Sequence, residues 1–403
     1  MPESANNEAA GAVKINVVLQ SFLGDVDSLR EVFDLVVPLL EQQDEQRRQA
    51  YKSARETLQN GQPSGDNQMA RRLEAAKAIR VHGRKLRRGK VQFQSNSIVS
   101  LISRFDQLFA SLLRVVLRTV PQKLEAATIS YKEAAAASSI QDLRNRFVGQ
   151  EVEAVMRGSH QEQFKYMEPF TGPIDEPKLW AAFIEVVERR NLHVHAAGRV
   201  SSQYLEVCKA VGAAIPVGLK LATRLPIDRI YFDRAVLILS EMGIKLSQTV
   251  SRKIFPKHLD IADGALMSIG LSLLQAEQDT LAEIVFDYAV SLKKNWVSSE
   301  NMSRAFLINK ATALNFNGEG KKSLALLDTL DWSAAHPKFL LAVSILRGDY
   351  DHAEKILDSL LKSGELTQRN LLEWPVFREF RLTARAGKYF QSAKVSDDAT
   401  EEL

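Results

Sequence analysis

A chain of 403 residues that is 45% hydrophobic and 25% charged has room for two or three ordinary cores and is too apolar for a disordered chain. Its one cysteine, Cys208, excludes an internal disulfide framework and fits a reducing compartment. Net charge is only +4, yet between Arg71 and Lys90 nine Lys or Arg residues stand against one acid, Glu74, so charge-driven contacts are expected to be local rather than global.

The opening MPESANNEAAGAV has no basic segment leading into an apolar block, which predicts no secretory signal and a cytoplasmic protein. Residues 13–60 read as helices, with Phe22, Val26, Leu29, Val32, Phe33, Val36 and Val37 marking one apolar face. NGQPSGDNQ, residues 60–68, is a loop by composition. The basic tract follows, and Arg71, Arg72, Arg84, Lys85, Arg87, Arg88 and Lys90 are its candidate RNA contacts. Such a tract neutralises phosphates and releases their counterions, or else it is a solvated, mobile linker.

From about residue 95 the pattern is that of a helical bundle. Its first long helix is expected to start at Ser95 or Ser97 and to end before Pro121. The apolar stretch from Ile98 to Leu117 is broken by Arg104, Asp106 and Arg114, which predicts a buried amphipathic helix, not a membrane span. Residues 126–158 read as two shorter helices. Asp175-Glu176-Pro177 then opens a helix that Gly198 closes, with Trp180, Phe183, Ile184, Val187 and Val194 expected on its buried side. Ser201 or Ser202 caps a further helix through Cys208 and Val211.

Beyond Leu225 short helices alternate with turns. LAEIVFDYA (281–289), SLALLDTL (323–330) and HAEKILDSL (352–360) are loosely alike at uneven spacing, a tetratricopeptide-like pattern of the kind that binds protein, peptide or RNA. Gly348-Asp349-Tyr350-Asp351 reads as the turn of one hairpin, and Glu373-Trp374-Pro375-Val376-Phe377 as the start of a terminal helix; the tail DDATEEL is acidic. The fold class expected is all-α: an N-terminal helical region over residues 1–92, a bundle over 93–225 and a helical-repeat region over 226–403.

The chemistry concentrates in Arg190-Asn191-Leu192-His193-Val194-His195. Asn191 and His195 are one turn apart and share a helix face, whereas Arg190 is rotated by roughly 140° from His195 on an ideal helix. An imidazole, a guanidinium and an amide suit metal-free RNA cleavage: a 2′-hydroxyl proton is taken, a leaving 5′-oxygen is protonated and a phosphorane is held. A substrate without the 2′-hydroxyl lacks the internal nucleophile. Arg189 offers a competing register; Asn191 directly after Arg190 favours the latter. Arg347 and His352 repeat the same spacing across a Gly-Asp turn, where no catalysis is expected.

The surroundings carry a resemblance. Glu185-Val186-Val187-Glu188-Arg189-Arg190-Asn191-Leu192-His193-Val194-His195 with the following AAGRVSSQYL (196–205), and SIVSLISRFDQLF (97–109), resemble two core helices of the HEPN family. The likeness spans about residues 95–212. It implies a four-to-five-helix bundle that dimerises around paired Arg-Asn-x-x-x-His motifs, and a metal-independent endoribonuclease of the toxin–antitoxin or phage-defence type. It implies Arg190, Asn191 and His195 as catalytic, with Asp106, Arg189 and His193 as further candidates to face the cleft. The partners implied are RNA, a second copy of the chain and a protein regulator on the C-terminal region. No cofactor is implied. Some family members keep the fold and only bind partners, so a non-catalytic dimerisation module with a binding scaffold is the rival reading.

Metal chemistry is not expected. His193 and His195, two apart on a helix, point to nearly opposite sides and share no zinc. GEGKKS (318–323) lacks the first glycine of a phosphate loop and places Lys322 where Ser or Thr belongs, so it reads as a helix connector. Cys208, in an apolar helix pattern, reads as core.

Overall fold

A computed structural model describes residues 2–60, 66–120, 128, 130–173 and 175–390. The acidic tail, residues 61–65 of the expected loop and the Arg71 side chain lie outside the described residues. The fold is all-α: among the described residues there is no strand, only an isolated bridge between Arg199 and Arg224. The chain divides into two compact units, residues 17–250 and residues 1–16 with 251–403. The expected boundary at 92/93 falls inside one continuous helix, and the observed one at 250/251 falls inside another.

In the 17–250 unit, α1 (Pro2–Asn60) from residue 17 onward and α2 (Asp66–Thr119) run antiparallel. Phe22 meets Phe105 at 6.1 Å, Phe33 meets Phe93 at 6.1 Å, and Arg87 donates to Asp44 at 3.0 Å. The apolar face expected on α1 is partly right: Phe22, Val26, Phe33 and Val37 are buried, while Val32 is exposed. Ser95 and Ser97 do not start α2, which begins some thirty residues earlier. Each bonds the carbonyl four residues back, Ser95 to Val91 and Ser97 to Phe93, both at 2.9 Å, which satisfies a hydroxyl inside a helix. The basic tract is therefore helix, built from the Arg, Lys, Ala and Leu that favour one. Residues 98–117 form the buried stretch anticipated, and no helix among the described residues is long and apolar enough to cross a membrane.

The expected pair of short helices appears as α3 (Tyr131–Ala135) and α4 (Ile140–Met156). The helix α5 (His160–Thr171), opened by a Ser159/Glu162 capping box, is additional. Helix α6 (Pro177–His195) starts on its proline as expected, and Ala197 and Gly198 leave it at φ 50° and 73°. Phe183, Ile184 and Val187 are buried, but Val194 is exposed. Phe183 is the anchor, its ring within 4.8–5.7 Å of Phe105, Phe164, Trp180 and His160. Ser201 caps α7 (Ser202–Ala210), and α8 (Arg229–Ile254) stacks Phe232 on Phe33 at 4.1 Å.

The other unit contains α9 (Leu259–Gln275), α10 (Asp279–Ser291), α11 (Glu300–Phe316), α12 (Gly320–Leu327), α13 (Pro337–Leu346) and α14 (Tyr350–Lys362). They pair as successive hairpins whose turns pass through Glu277, Gly318 and Gly348, all at positive φ. The three loosely similar segments fall on α10, α12 and α14, the second helix of each hairpin, the middle one running past the end of α12 at Leu327. Glu373–Phe377 begins no terminal helix. α15 (Gln368–Glu373) ends there, Pro375–Phe377 is a 3-10 turn, and two more such turns precede α16 (Gly387–Phe390). Val376, Phe377 and Phe380 seal the core these hairpins share with Leu341, Leu357 and Leu371. A fully buried Arg252–Asp263 pair at 2.8 Å lies in this unit, with Ser298 N–H donating to Asp263 at 2.7 Å and Arg252 donating to the Trp296 carbonyl.

The α1–α2–α8 packing predicts opposite signs for two glycines. A Cβ at Gly243 would lie 2.7 Å from the Phe22 ring and 2.9 Å from Leu108, whereas one at Gly24 meets nothing within 4 Å. Gly243→Ala should lower stability by about 1–3 kcal/mol through overpacking, and Gly24→Ala should raise it by about 0.5–1 kcal/mol. Shifts of the urea midpoint in opposite directions are the expected result.

Candidate functional site

The last three turns of α6 carry most of the candidate residues, and the fold sorts them by what each meets. Arg189 goes into the core. Its guanidinium donates to Glu185 Oε1 at 3.1 and 2.8 Å, and it lies 4.3 Å from the centre of the Tyr231 ring. The Tyr204 hydroxyl donates to the same oxygen at 2.7 Å, and the Tyr231 hydroxyl to Oε2 at 2.9 Å. Burial and the Glu185 charge push both phenols up. Every group in this network is satisfied, so Arg189 braces α6 against α7 and α8 and does not face a cleft.

His193 is also structural. Its Nε2 lies 2.9 Å from the Leu225 carbonyl and its Nδ1 2.9 Å from Ser95 Oγ. Burial holds the ring below its ordinary pKa, against the Leu225 bond that raises it; Arg189 and Arg224 add to the lowering. A neutral ring with its proton on Nε2 donates to Leu225 and leaves Nδ1 an acceptor beside Ser95 Oγ, whose single proton is divided between Nδ1 and the Val91 carbonyl. Gly198 closes over this ring: a Cβ there would lie 2.8 Å from His193 Cε1. The chain after α6 is fastened by Val200 N–H to Thr223, Ala222 N–H to Val200 and Leu225 N–H to Gly198, each 2.9 Å. Leu192, Val200, Tyr204, Cys208 and Leu225 pack beneath as a small core. Cys208 is buried, its thiol pushed up to about 12 by burial first and by Glu185 and Glu188 next.

Arg190 turns the other way. Its Nη2 lies 3.9 Å from Asp106 Oδ2 on α2, and its Nε is buried without a hydrogen-bond partner. Asp106 Oδ1 is 2.9 Å from Nε2 of His160, a buried ring edge-on to Phe183. Asn191 Nδ2 donates to Glu188 Oε1 at 3.1 Å. Burial raises the Glu188 carboxyl above its ordinary value, opposed by the Asn191 bond and by the charges of Arg190 and His160. Glu188, Asn191 and His195 fall within roughly 60° of one another on an ideal helix. His195 ends that face, exposed and without a hydrogen-bond or ion-pair partner among the described residues.

Three of the expected residues thus join one polar group with two that sequence reasoning missed, His160 and Glu188. Asp106 and Arg190 meet directly, and Asn191 meets Glu188. His195 is not bonded to any of them, and Arg189 and His193 are withdrawn into the structure. A signal for His160 existed in the S-x-x-E start of α5, and one for Glu188 in its three-residue spacing from Asn191. Among the described residues no three His, Cys, Asp or Glu side chains are grouped to hold a metal ion.

The basic tract divides as well. Arg87 pairs with Asp44 at 3.0 Å and Lys90 with Glu41 at 3.2 Å across to α1. Arg72, Arg84, Lys85 and Arg88 are exposed. Set against protein-family models, curated proteins and solved structures, the chain matches none.

Two outcomes test the structural assignments. Glu185→Ala strands Arg189 in the core and should cost about 3–5 kcal/mol in urea unfolding. For His193 the folded pKa is lowered, so its contribution is whole above the ordinary value of 6.5 and is lost as pH falls through the lowered one. The melting temperature of wild type should therefore drop more steeply between pH 7.5 and 5 than that of His193→Gln.

Proposed function

We propose that this chain is a HEPN-type, metal-independent endoribonuclease, with Arg190, Asn191 and His195 at a cleft completed by a second copy. The observation that carries the reading is His195: an exposed imidazole with no hydrogen-bond or ion-pair partner among the described residues, on the same face as Asn191 and the half-buried Glu188. Arg190, on the same stretch of helix, has an unpaired Nε and touches Asp106 only at 3.9 Å.

In this reading an imidazole takes the proton of a 2′-hydroxyl, whose oxygen attacks the adjacent phosphorus. The phosphorus–5′-oxygen bond breaks, and a second acid protonates the departing oxygen. The products are a 2′,3′-cyclic phosphate and a 5′-hydroxyl end. Two copies of His195 across a dimer provide one base and one acid. Arg190 holds the phosphorane charge, Asn191 positions the substrate, and Asp106 with His160 orients the guanidinium. In this reading residues 93–225, within the 17–250 unit, are the HEPN-like bundle, and the hairpins α9–α14 are the tetratricopeptide-like arm that recruits a regulator. A toxin or phage-defence effector acting in the cytoplasm fits this chemistry.

One observation favours the rival, a non-catalytic dimerisation module with a binding arm: Arg190 and Asn191 both have intrachain acidic partners, Asp106 and Glu188. Cleavage decides between them. Purified protein in EDTA should convert RNA, but not DNA, into fragments ending in 2′,3′-cyclic phosphate. His195→Ala and Arg190→Ala should each lower the rate at least about 100-fold with the helical spectrum unchanged. Cleavage persisting in both variants removes the catalytic assignment and leaves the scaffold.

A further inference from the structure

Helix formation turns the basic tract into an ordered row. Lys77, Arg80, Arg84 and Arg88 are separated by three, four and four residues, so they stack along one face of α2 at a rise of roughly 4.5–6 Å per step. All four are exposed. Lys77 bonds Glu74 at 2.8 Å, but among the described residues Arg80, Arg84 and Arg88 have no ion-pair or hydrogen-bond partner. Arg87 and Lys90, which sequence alone ranks beside them, are neutralised on the α1 side by Asp44 and Glu41. No acid occurs on α2 between Glu74 and Asp106.

The same face continues toward the candidate site. Ser95 lies seven residues beyond Arg88, two turns or roughly 10 Å along the helix and nearly the same angle. Its hydroxyl is 2.9 Å from His193 Nδ1, and His195 is two residues further on α6. The free guanidinium row therefore points along α2 to the end of α6 where the exposed imidazole sits.

We propose that Lys77, Arg80, Arg84 and Arg88 form a phosphate-binding track that guides an RNA strand along α2 to the C-terminal end of α6. A single small anion is best held by converging donors, whereas an evenly spaced row of fork-shaped guanidiniums matches a polyanion with regularly repeated phosphates. An anionic lipid surface would also need a continuous apolar band beside the charges. Here α1 occupies the apolar side of α2, on α2 itself only Leu73 and Val81 stand exposed as large apolar residues among those described, and the exposed Val32, Leu35 and Leu39 of α1 lie beyond the Arg88 end of the row. The destination of the track, though not its affinity for RNA, rests on the nuclease reading of α6.

The test is binding of a fluorescein-labelled 20-nucleotide RNA to full-length His195→Ala protein, followed by anisotropy from 50 to 300 mM KCl. In that background, Arg80→Gln/Arg84→Gln/Arg88→Gln should weaken binding at least about 10-fold at the low-salt end and flatten the log–log salt slope by about 2, three phosphates at about 0.7 each. Arg48→Gln/Lys52→Gln/Arg55→Gln on α1 removes the same charge and should leave the slope unchanged. Equal effects of the two triple variants, or none from the row, overturn the track. Binding to phosphatidylserine vesicles without binding to RNA also overturns it. Row-dependent RNA binding by a wild-type protein that never cleaves sinks the nuclease reading and spares the track. Wild-type-like cleavage by the row variant sinks the track alone.

Discussion

The carboxylate of Glu185 is the interaction on which the candidate site depends. It is nearly inaccessible to water, yet it accepts from a guanidinium on its own helix, a phenol on α7 and a phenol on α8. A buried charge with an empty valence costs several kcal/mol, so each donor must stay in place. Rotating α6 by one residue would swing Glu185 out of this nest and place Val186 there instead. The rotation of α6 is thereby set, and with it the outward direction of Glu188, Asn191 and His195. Phe183 reinforces the same register from the other side, wedged among Phe105, Phe164 and Trp180.

Helix α2 supplies the second constraint. One uninterrupted rod of 54 residues carries the basic row at one end, Ser95 in the middle and Asp106 further along. Fixed to a common axis, these groups cannot drift relative to one another as loop residues would. Two of the three meet α6. Ser95 fastens the ring of His193, Asp106 approaches the guanidinium of Arg190, and the row remains open to solvent. A structural contact and a candidate catalytic contact thus share one rigid element.

Much of this architecture was legible in the residues. Pro177 and Gly198 bracket α6, Ser201 caps α7, Gly348 turns α13 into α14, and Ile98–Leu117 forms the buried core. The start of α2 was not, because a serine preceding an apolar run reads as a cap. Only the structure shows that Ser95 and Ser97 bond backward to Val91 and Phe93 instead. The buried Arg189 was equally invisible: an Arg-Arg pair says nothing of which member faces Glu185, since that depends on tyrosines 15 and 42 residues away along the chain. His160 needed a contact with Asp106 across 54 residues of sequence, and no local pattern encodes one.

Two segments of this chain share the spacing Arg-x-x-x-x-His, and the contrast between them separates engaged from unengaged side chains. At Arg347–His352 the chain leaves α13, turns at Gly348 and enters α14. Arg347 pairs with Asp328 at 2.6 Å and His352 Nδ1 lies 2.9 Å from Ser344 Oγ. Both side chains are engaged in joining helices, which accounts for their presence without chemistry. At Arg190–His195 the helix is unbroken, the imidazole has no hydrogen-bond or ion-pair partner among the described residues, and the guanidinium has an unpaired Nε while its Nη2 lies 3.9 Å from Asp106. Spacing is a property of the chain, whereas unspent hydrogen-bonding capacity at an exposed helix end is a property of the fold. Only the second distinguishes side chains with unspent bonds from side chains whose bonds are already made.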